Sequence, residues 1–176
     1  KNIFNEIKKI RWFIIAVITE LFLTLVMFGD VLFASKGTVL SDYGSDLSQL
    51  FIYWREFGFG QLGQGHLALW NPHIFSGMPY LGEFQSGLFY PLNFVYLILP
   101  VAKAINFDIA LSIFLAGVFT YLWTAYKRLN PVACLISGVL FMFSGAFYLH
   151  LYPGHLNRLS GMIWAPLILL SIDGIS

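Results

Sequence analysis

Ionisable side chains are scarce in this sequence, and several of them gather in the polar stretch from Asp42 to Pro91. This stretch holds four of the nine acidic residues and two of the four histidines, and apolar segments flank it on both sides. Connections between elements usually run about 4–6 residues, so a loop of this length is more than a simple link. Long ordered loops often carry binding and chemistry. We therefore predict that the functional site lies here.

Asp46 is the first candidate for chemistry within this stretch. Ser45 is placed as the N-cap of a helix predicted over residues 46–57, so Asp46 falls in the first turn, where the helix dipole favours a carboxylate. A carboxylate there can act as a general base or bind a hard divalent cation. It can equally do no more than help to start the helix, and the spacing does not separate these roles.

A second candidate pair, His155 and Arg158, lies in a short loop at residues 152–160. An arginine beside an outer-face carboxylate can bind a phosphate through two parallel hydrogen bonds. The same arginine can instead anchor a helix end at the membrane interface. His66 and His73 are seven residues apart, which is not a strict zinc-site spacing.

The helix predicted over residues 46–57 is amphipathic, and it must position Asp46. Its polar and apolar residues fall on opposite faces at helical spacing, so it can lie in the membrane interface with its apolar side down. The polar face carries Asp46, Gln49, Tyr53 and Glu56, and the apolar face carries Leu47, Leu50, Phe51, Trp54 and Phe57.

The composition is that of a membrane protein. Of the 176 residues, 58% are hydrophobic, 18% are aromatic and only 11% are charged, whereas soluble domains carry about 25% charged residues. The mean hydropathy is +0.74. A net charge of +1 and scattered basic residues indicate no nucleic-acid partner. The single cysteine, Cys134, lies in an apolar run, which predicts a packing role.

Three apolar segments are long enough to span a membrane, near residues 12–33, 105–126 and 131–151. A fourth begins at residue 161. Residues 89–100 are apolar but too short to cross, which favours a re-entrant or interfacial segment. We therefore predict an all-α transmembrane fold with about four spans. Its parts are an anchor span at residues 1–34, an outer-face loop at 35–104 and further spans at 105–176.

Basic residues predict the orientation. Clusters at residues 8–11 and 127–128 fall on one side of the membrane only if residues 89–100 do not cross. The positive-inside rule favours that arrangement, with a cytoplasmic N-terminus and both polar loops on the outer face. Glu20 lies inside the first span, either as a proton or ligand contact or as a hydrogen-bonded residue between helices.

An ordered series of short motifs resembles the N-terminal part of the YfhO family of bacterial multi-spanning membrane proteins, which are similar to GT-C glycosyltransferases. The resemblance covers nearly the whole chain. The motifs are Asp42-x-Gly-Ser-Asp46-x-x-Gln49, Leu69-Trp70-Asn71-Pro72, Phe75-Ser-Gly-x-Pro79, Phe89-Tyr-Pro-Leu92, Leu115-Ala-Gly117, and Gly154-His155 followed by Trp164-x-Pro166.

The resemblance implies an acidic residue near the start of the outer loop that acts as a base or metal ligand. Asp46 takes that position, with Asp42 as the alternative, and the metal would be Mg²⁺ or Mn²⁺ on Asp46. The implied donor is a sugar linked to a polyprenyl phosphate in a bacterial inner membrane. The implied substrate-binding residues are His155, Arg158, Gln49, Trp70 and Asn71.

Two functions from different classes follow. The first is a membrane module of a GT-C-like glycosyltransferase, and we expect the rest of its acceptor and donor sites to lie in a longer chain. The second is a non-catalytic accessory subunit of a larger membrane complex, respiratory or photosynthetic, which a partner contact at Glu20 or Asp108 would support. A transporter is a weaker third interpretation, because Glu20 is the only candidate for an ionisable group at the midplane.

Overall fold

The computed structural model describes residues 2–35, 37–83 and 85–175, with side chains described from Ile7 onward. Within these residues the chain is mainly helical. The helices are α1 (Asn2–Leu32), α2 (Ile52–Gly63), α3 (Val101–Tyr126), α4 (Pro131–Met142), α5 (Gly145–Leu151), α6 (Leu156–Met162) and α7 (Ala165–Ile175). A π-helical turn at Leu47–Phe51 leads into α2, and a 3-10 helix covers Pro91–Leu97. Strands β1 (Trp70–Asn71) and β2 (Met78–Pro79) form a short antiparallel pair.

Among the described residues, four helical segments are long and apolar enough to cross a membrane, which confirms the predicted all-α transmembrane fold. They are Ile7–Leu32, Val101–Tyr126, Pro131–Leu151 and Leu156–Ile175. The second has the most buried window, at 67%, against 22% in each of the others. The 3-10 helix has only seven residues, which is too short to span.

The third and fourth spans are interrupted, which the apolar patterns did not reveal. The third breaks at Phe143 and Ser144, between α4 and α5. The fourth breaks at Ile163 and Trp164, between α6 and α7. Pro166 accounts for the second break, because it has no N–H to donate and its ring collides with the carbonyl four residues earlier.

The chain divides into two compact units. The helical unit consists of Lys1–Asp30, Ala110–Leu149 and Arg158–Ser176. The loop unit consists of Val31–Ile109 and His150–Asn157.

Glu20 is the buried polar centre of the helical unit. Its side chain is fully buried, and a Cβ atom on Gly138 would collide with its Oε1 atom and lie 2.9 Å from the Gly117 carbonyl oxygen. Small residues at such points let transmembrane helices approach closely. Among the described residues neither carboxyl oxygen of Glu20 has a hydrogen-bond partner, so the hydrogen-bonded role expected for it between helices is not seen.

One end of α3 in the helical unit is fastened to α7. Asp173 accepts hydrogen bonds from Trp123 Nε1 at 2.8 Å and from Lys127 Nζ at 3.0 Å. Nearby, Cys134 lies buried in an apolar cluster with Ala16 and Tyr121, in line with its predicted packing role. These contacts join helices that are distant in sequence.

In the loop unit, the apolar face of the helix predicted at residues 46–57 is covered by protein. Leu47, Phe51 and Trp54 are buried, and Trp54 packs with Ala68 and Tyr80. Burial raises the pKa of Tyr80 to about 12, which keeps its hydroxyl protonated to donate to the Trp54 carbonyl at 2.6 Å. The helix therefore rests on its own chain on this side, whereas the sequence suggested a membrane surface.

Candidate functional site

The end of α5 forms a tight turn that brings two histidines together. The His155 N–H donates to the His150 carbonyl at 2.9 Å, and the Gly154 N–H donates to the Leu151 carbonyl at 3.0 Å. This pair of bonds is the Schellman motif, in which a residue in the left-handed region follows the last helical turn. Gly154 occupies that position with φ +82°. The motif places the residue after the glycine, His155, beside the residue four positions before the glycine, His150.

The turn is held against the start of the π-helical turn. The Asp46 N–H donates to the Pro153 carbonyl at 3.0 Å, and the Asp42 N–H donates to the Tyr152 carbonyl at 3.3 Å. Ser45 accepts the N–H of Ser48 at 3.4 Å, as its predicted N-cap role requires. Two segments more than one hundred residues apart in sequence are thus fixed side by side, with Asp46 next to the histidine turn.

The Asp46 carboxylate reaches His155. Asp46 Oδ2 lies 3.2 Å from His155 Nε2, and the two side chains are 60% and 31% exposed. The Nδ1 atoms of His155 and His150 are 3.1 Å apart. These contacts define a linear cluster, Asp46–His155–His150, on the surface of the loop unit.

The order of this cluster links the tautomers of the two histidines. A neutral imidazole has one N–H and one acceptor nitrogen. If His155 donates from Nε2 to Asp46, its Nδ1 is an acceptor, and His150 must then donate from its own Nδ1 when both rings are neutral. The arrangement keeps the second oxygen of Asp46 available for a proton or a cation.

The other predicted site residues have different surroundings. Gln49 donates from Nε2 to the Gly44 carbonyl at 2.8 Å, which braces its own loop. Asn71 is buried and accepts the His73 N–H at 2.9 Å. It also lines a groove of about 260 Å³ with Tyr53, Glu56, Phe57, His73 and Ile74. Trp70 is 56% exposed.

Of the site residues predicted from the sequence, the structure brings one pair together, Asp46 and His155. The Asp42 side chain is exposed, and its described contacts are made by backbone atoms. Arg158 is exposed in the first turn of α6 and belongs to the helical unit. Its contact with a donor phosphate stays a prediction.

Sequence reasoning missed Arg55, the buried cation of the loop unit. The Arg55 side chain is fully buried, and it donates to the carbonyls of Gln85, at 3.2 Å, and Ser86. It also donates from Nη2 to Asn157 Oδ1 at 2.8 Å. Arg55 thereby ties the segment after the histidine turn to the outer loop. No sequence signal marked it, because an arginine in an amphipathic helix is ordinarily a surface residue.

A hydrogen-bonded tyrosine and carboxylate lie near Arg55. Tyr96 donates to Asp108 Oδ2 at 3.3 Å, and the Arg55 guanidinium carbon is 5.7 Å from the Tyr96 ring centre. Burial, together with the Asp108 charge, raises the pKa of Tyr96, so its hydroxyl stays protonated as a donor. Buried charges of opposite sign thus share one polar cluster inside the loop unit.

His150 is the member of the surface cluster that sequence reasoning overlooked. The signal was present in the letters His-Leu-Tyr-Pro-Gly-His, since a glycine after a helix end joins the residue that follows it to the residue four positions before the glycine. In the described part of the chain, no group of three or more metal-ligating side chains is arranged to hold an ion. The Mg²⁺ or Mn²⁺ expected on Asp46 therefore stays a prediction.

Comparisons with protein-family models, with curated proteins and with solved structures find no match to this chain.

Proposed function

We propose that this membrane-embedded chain is a module of a glycosyltransferase that uses a sugar linked to a polyprenyl phosphate. The contact between Asp46 and His155 is the observation that carries the proposal. It places a carboxylate, held by an imidazole, at a surface that water and a hydrophilic acceptor can reach. The series of motifs that resembles the YfhO family supplies the substrate class. The expected location is the outer face of a bacterial inner membrane, with a cytoplasmic N-terminus.

Asp46 is the proposed general base. It takes the proton of an acceptor hydroxyl as the acceptor oxygen bonds to the anomeric carbon of the sugar. The bond from that carbon to the phosphate oxygen breaks, and the lipid phosphate leaves with the electron pair. Direct displacement inverts the configuration at the anomeric carbon. His155 occupies one oxygen of Asp46 and leaves the other directed to the acceptor.

Two buried carboxylates favour this function over an accessory subunit. A partner contact at Glu20 or Asp108 was the feature expected of a subunit in a larger complex. Glu20 is 0% and Asp108 2% exposed within the chain itself. Residues of the chain itself therefore cover both side chains.

The test compares sugar transfer by the Asp46→Asn and Asp42→Asn variants of the protein at its natural length. We expect Asp46→Asn to lower transfer about 10²–10⁴-fold, the usual contribution of a general base. Its fold should persist, because an exposed ion pair contributes only about 1 kcal/mol or less. Asp42→Asn is the matched control and should keep activity. Loss of transfer in Asp42→Asn with full activity in Asp46→Asn would move the base to Asp42 and reject the assignment.

A further inference from the structure

We propose that His150 and His155 bind a divalent transition-metal ion such as Zn²⁺ through their Nδ1 atoms. Asp46 is the carboxylate that faces the other ring nitrogen of His155. The inference does not rest on the transfer reaction, and it concerns a different ion from the Mg²⁺ or Mn²⁺ predicted on Asp46.

The two imidazoles have the spacing of ligands to one ion. Their Nδ1 atoms are 3.1 Å apart and their ring centres 5.3 Å apart. Nitrogen ligands lie about 2.0–2.1 Å from Zn²⁺, so two of them at the tetrahedral angle are about 3.4 Å apart. The observed separation of the two Nδ1 atoms is within a few tenths of an ångström of this value, and both side chains are only partly buried.

Asp46 completes the arrangement from the far side of the ring. Histidines that bind metals usually donate their other N–H to a carboxylate, which fixes the tautomer and makes the ligand nitrogen more basic. His155 Nε2 faces Asp46 Oδ2 at 3.2 Å. This contact leaves the lone pair of His155 Nδ1 directed toward His150.

The backbone builds this site before any ion arrives. The Schellman motif fixes the two histidine backbones through the bond from the His155 N–H to the His150 carbonyl. Two protein ligands leave two positions of a tetrahedral ion for water or a substrate oxygen. Imidazole nitrogen favours Zn²⁺, Cu²⁺ and Ni²⁺, whereas Mg²⁺ prefers oxygen ligands.

A shared proton is the competing arrangement. An N–H···N hydrogen bond also fits 3.1 Å between the two Nδ1 atoms. The proton and the metal use the same lone pairs, so only one can occupy the space between the rings at a time. Metal titration at neutral pH distinguishes the two.

The test is a Zn²⁺ titration of the tag-free, chelator-stripped protein in detergent micelles, followed with a competing metal dye. We expect one Zn²⁺ per chain. His150→Ala and His155→Ala should each weaken binding at least 100-fold, and Asp46→Asn about 10–100-fold, the usual effect of losing an outer partner. His66→Ala is the control, because His66 is an exposed histidine in another turn, and it should bind as the wild type does.

A measurement on the wild-type chain alone guards against variants that fail to fold. Pulsed electron paramagnetic resonance of the protein loaded with one Cu²⁺ counts coordinated imidazoles, and we expect two. Absence of Zn²⁺ binding, unchanged binding in His150→Ala, or fewer than two imidazoles on Cu²⁺ overturns the site and leaves the shared proton. None of these results bears on whether Asp46 serves as a base in transfer.

Discussion

At the scale of single residues, Gly154 determines whether the site can form. It adopts φ +82°, and a Cβ atom there would lie 2.7 Å from the backbone nitrogen and 3.0 Å from the Cα atom of Leu47. Leu47 directly follows Asp46 in the chain. The glycine therefore serves both the turn that joins the histidines and the close approach of the segment that carries the carboxylate.

Replacing Gly154 with Ala should disturb both the histidine turn and the close approach of the segment that carries Asp46. The left-handed conformation costs a residue with a Cβ about 1–2 kcal/mol, and the contact with the Leu47 backbone adds to this. We expect a lower unfolding temperature in detergent and a loss of the Asp46–His155 contact, seen as altered histidine ring resonances.

The matched control is Gly60→Ala. Gly60 lies exposed in α2, and a Cβ added to it would meet no atom within 4 Å. Ala favours a helix over Gly by about 1 kcal/mol, so this change should be neutral or stabilising. An equal loss of stability in both variants contradicts the role given to Gly154.

The sequence was enough to select Asp46 and His155 as candidate site residues, but it did not predict that they contact each other. Asp46 and His155 were recognisable as chemistry-bearing residues in polar loops. Their contact depends on backbone bonds from Asp42 and Asp46 to Tyr152 and Pro153, which no local pattern encodes. His150 was hidden because it falls at the end of an apolar run, where a histidine is easily taken as part of the span.

At the scale of elements, the helical unit depends on the close approach of α1, α3 and α4. Gly117 and Gly138 provide space for Glu20, which is fully buried in α1. Transmembrane helices gain stability mainly from tight packing at such small residues. The long spans were predictable from apolar length. Apolar length does not reveal the breaks in the third and fourth spans, and Pro166 accounts for the break in the fourth.

Gly138→Ala should destabilise the helical unit. The added methyl would collide with Glu20 and lie 2.9 Å from the Gly117 carbonyl oxygen. Overpacking of this kind typically costs about 1–3 kcal/mol. Thermal unfolding in detergent should show the loss, whereas Gly161→Ala, with open space around its exposed helical position, should be neutral or stabilising. Equal stability of Gly138→Ala and wild type argues against this helix contact.

At the scale of the whole molecule, the chain is a membrane-embedded helical protein, and the part that the structure describes has four segments able to span. Apolar residues at successive turns of α1 are exposed, which suits a surface against lipid. Ile14 is 50%, Ile18 61% and Phe22 62% exposed. Composition alone predicted this class, because a low charged fraction and long apolar runs leave no other stable environment.

The orientation of the chain is predicted by its basic residues. In intact cells an impermeant maleimide should label Gln64→Cys from outside, and Leu129→Cys only after the membrane is opened. Both positions are exposed, and the natural Cys134 is 1% exposed, so it gives little background. Labelling of both variants from the same side contradicts the predicted topology.

The most direct measurement is the release of polyprenyl phosphate from a sugar-linked donor in the presence of a hydroxyl-bearing acceptor, followed by mass spectrometry with the purified protein at its natural length. We predict release by the wild type, at a rate that falls with Asp46→Asn. An unchanged donor, together with a stoichiometric place of the chain in a larger membrane complex, would contradict the transferase and leave Asp46 as a residue that only helps to start its helix.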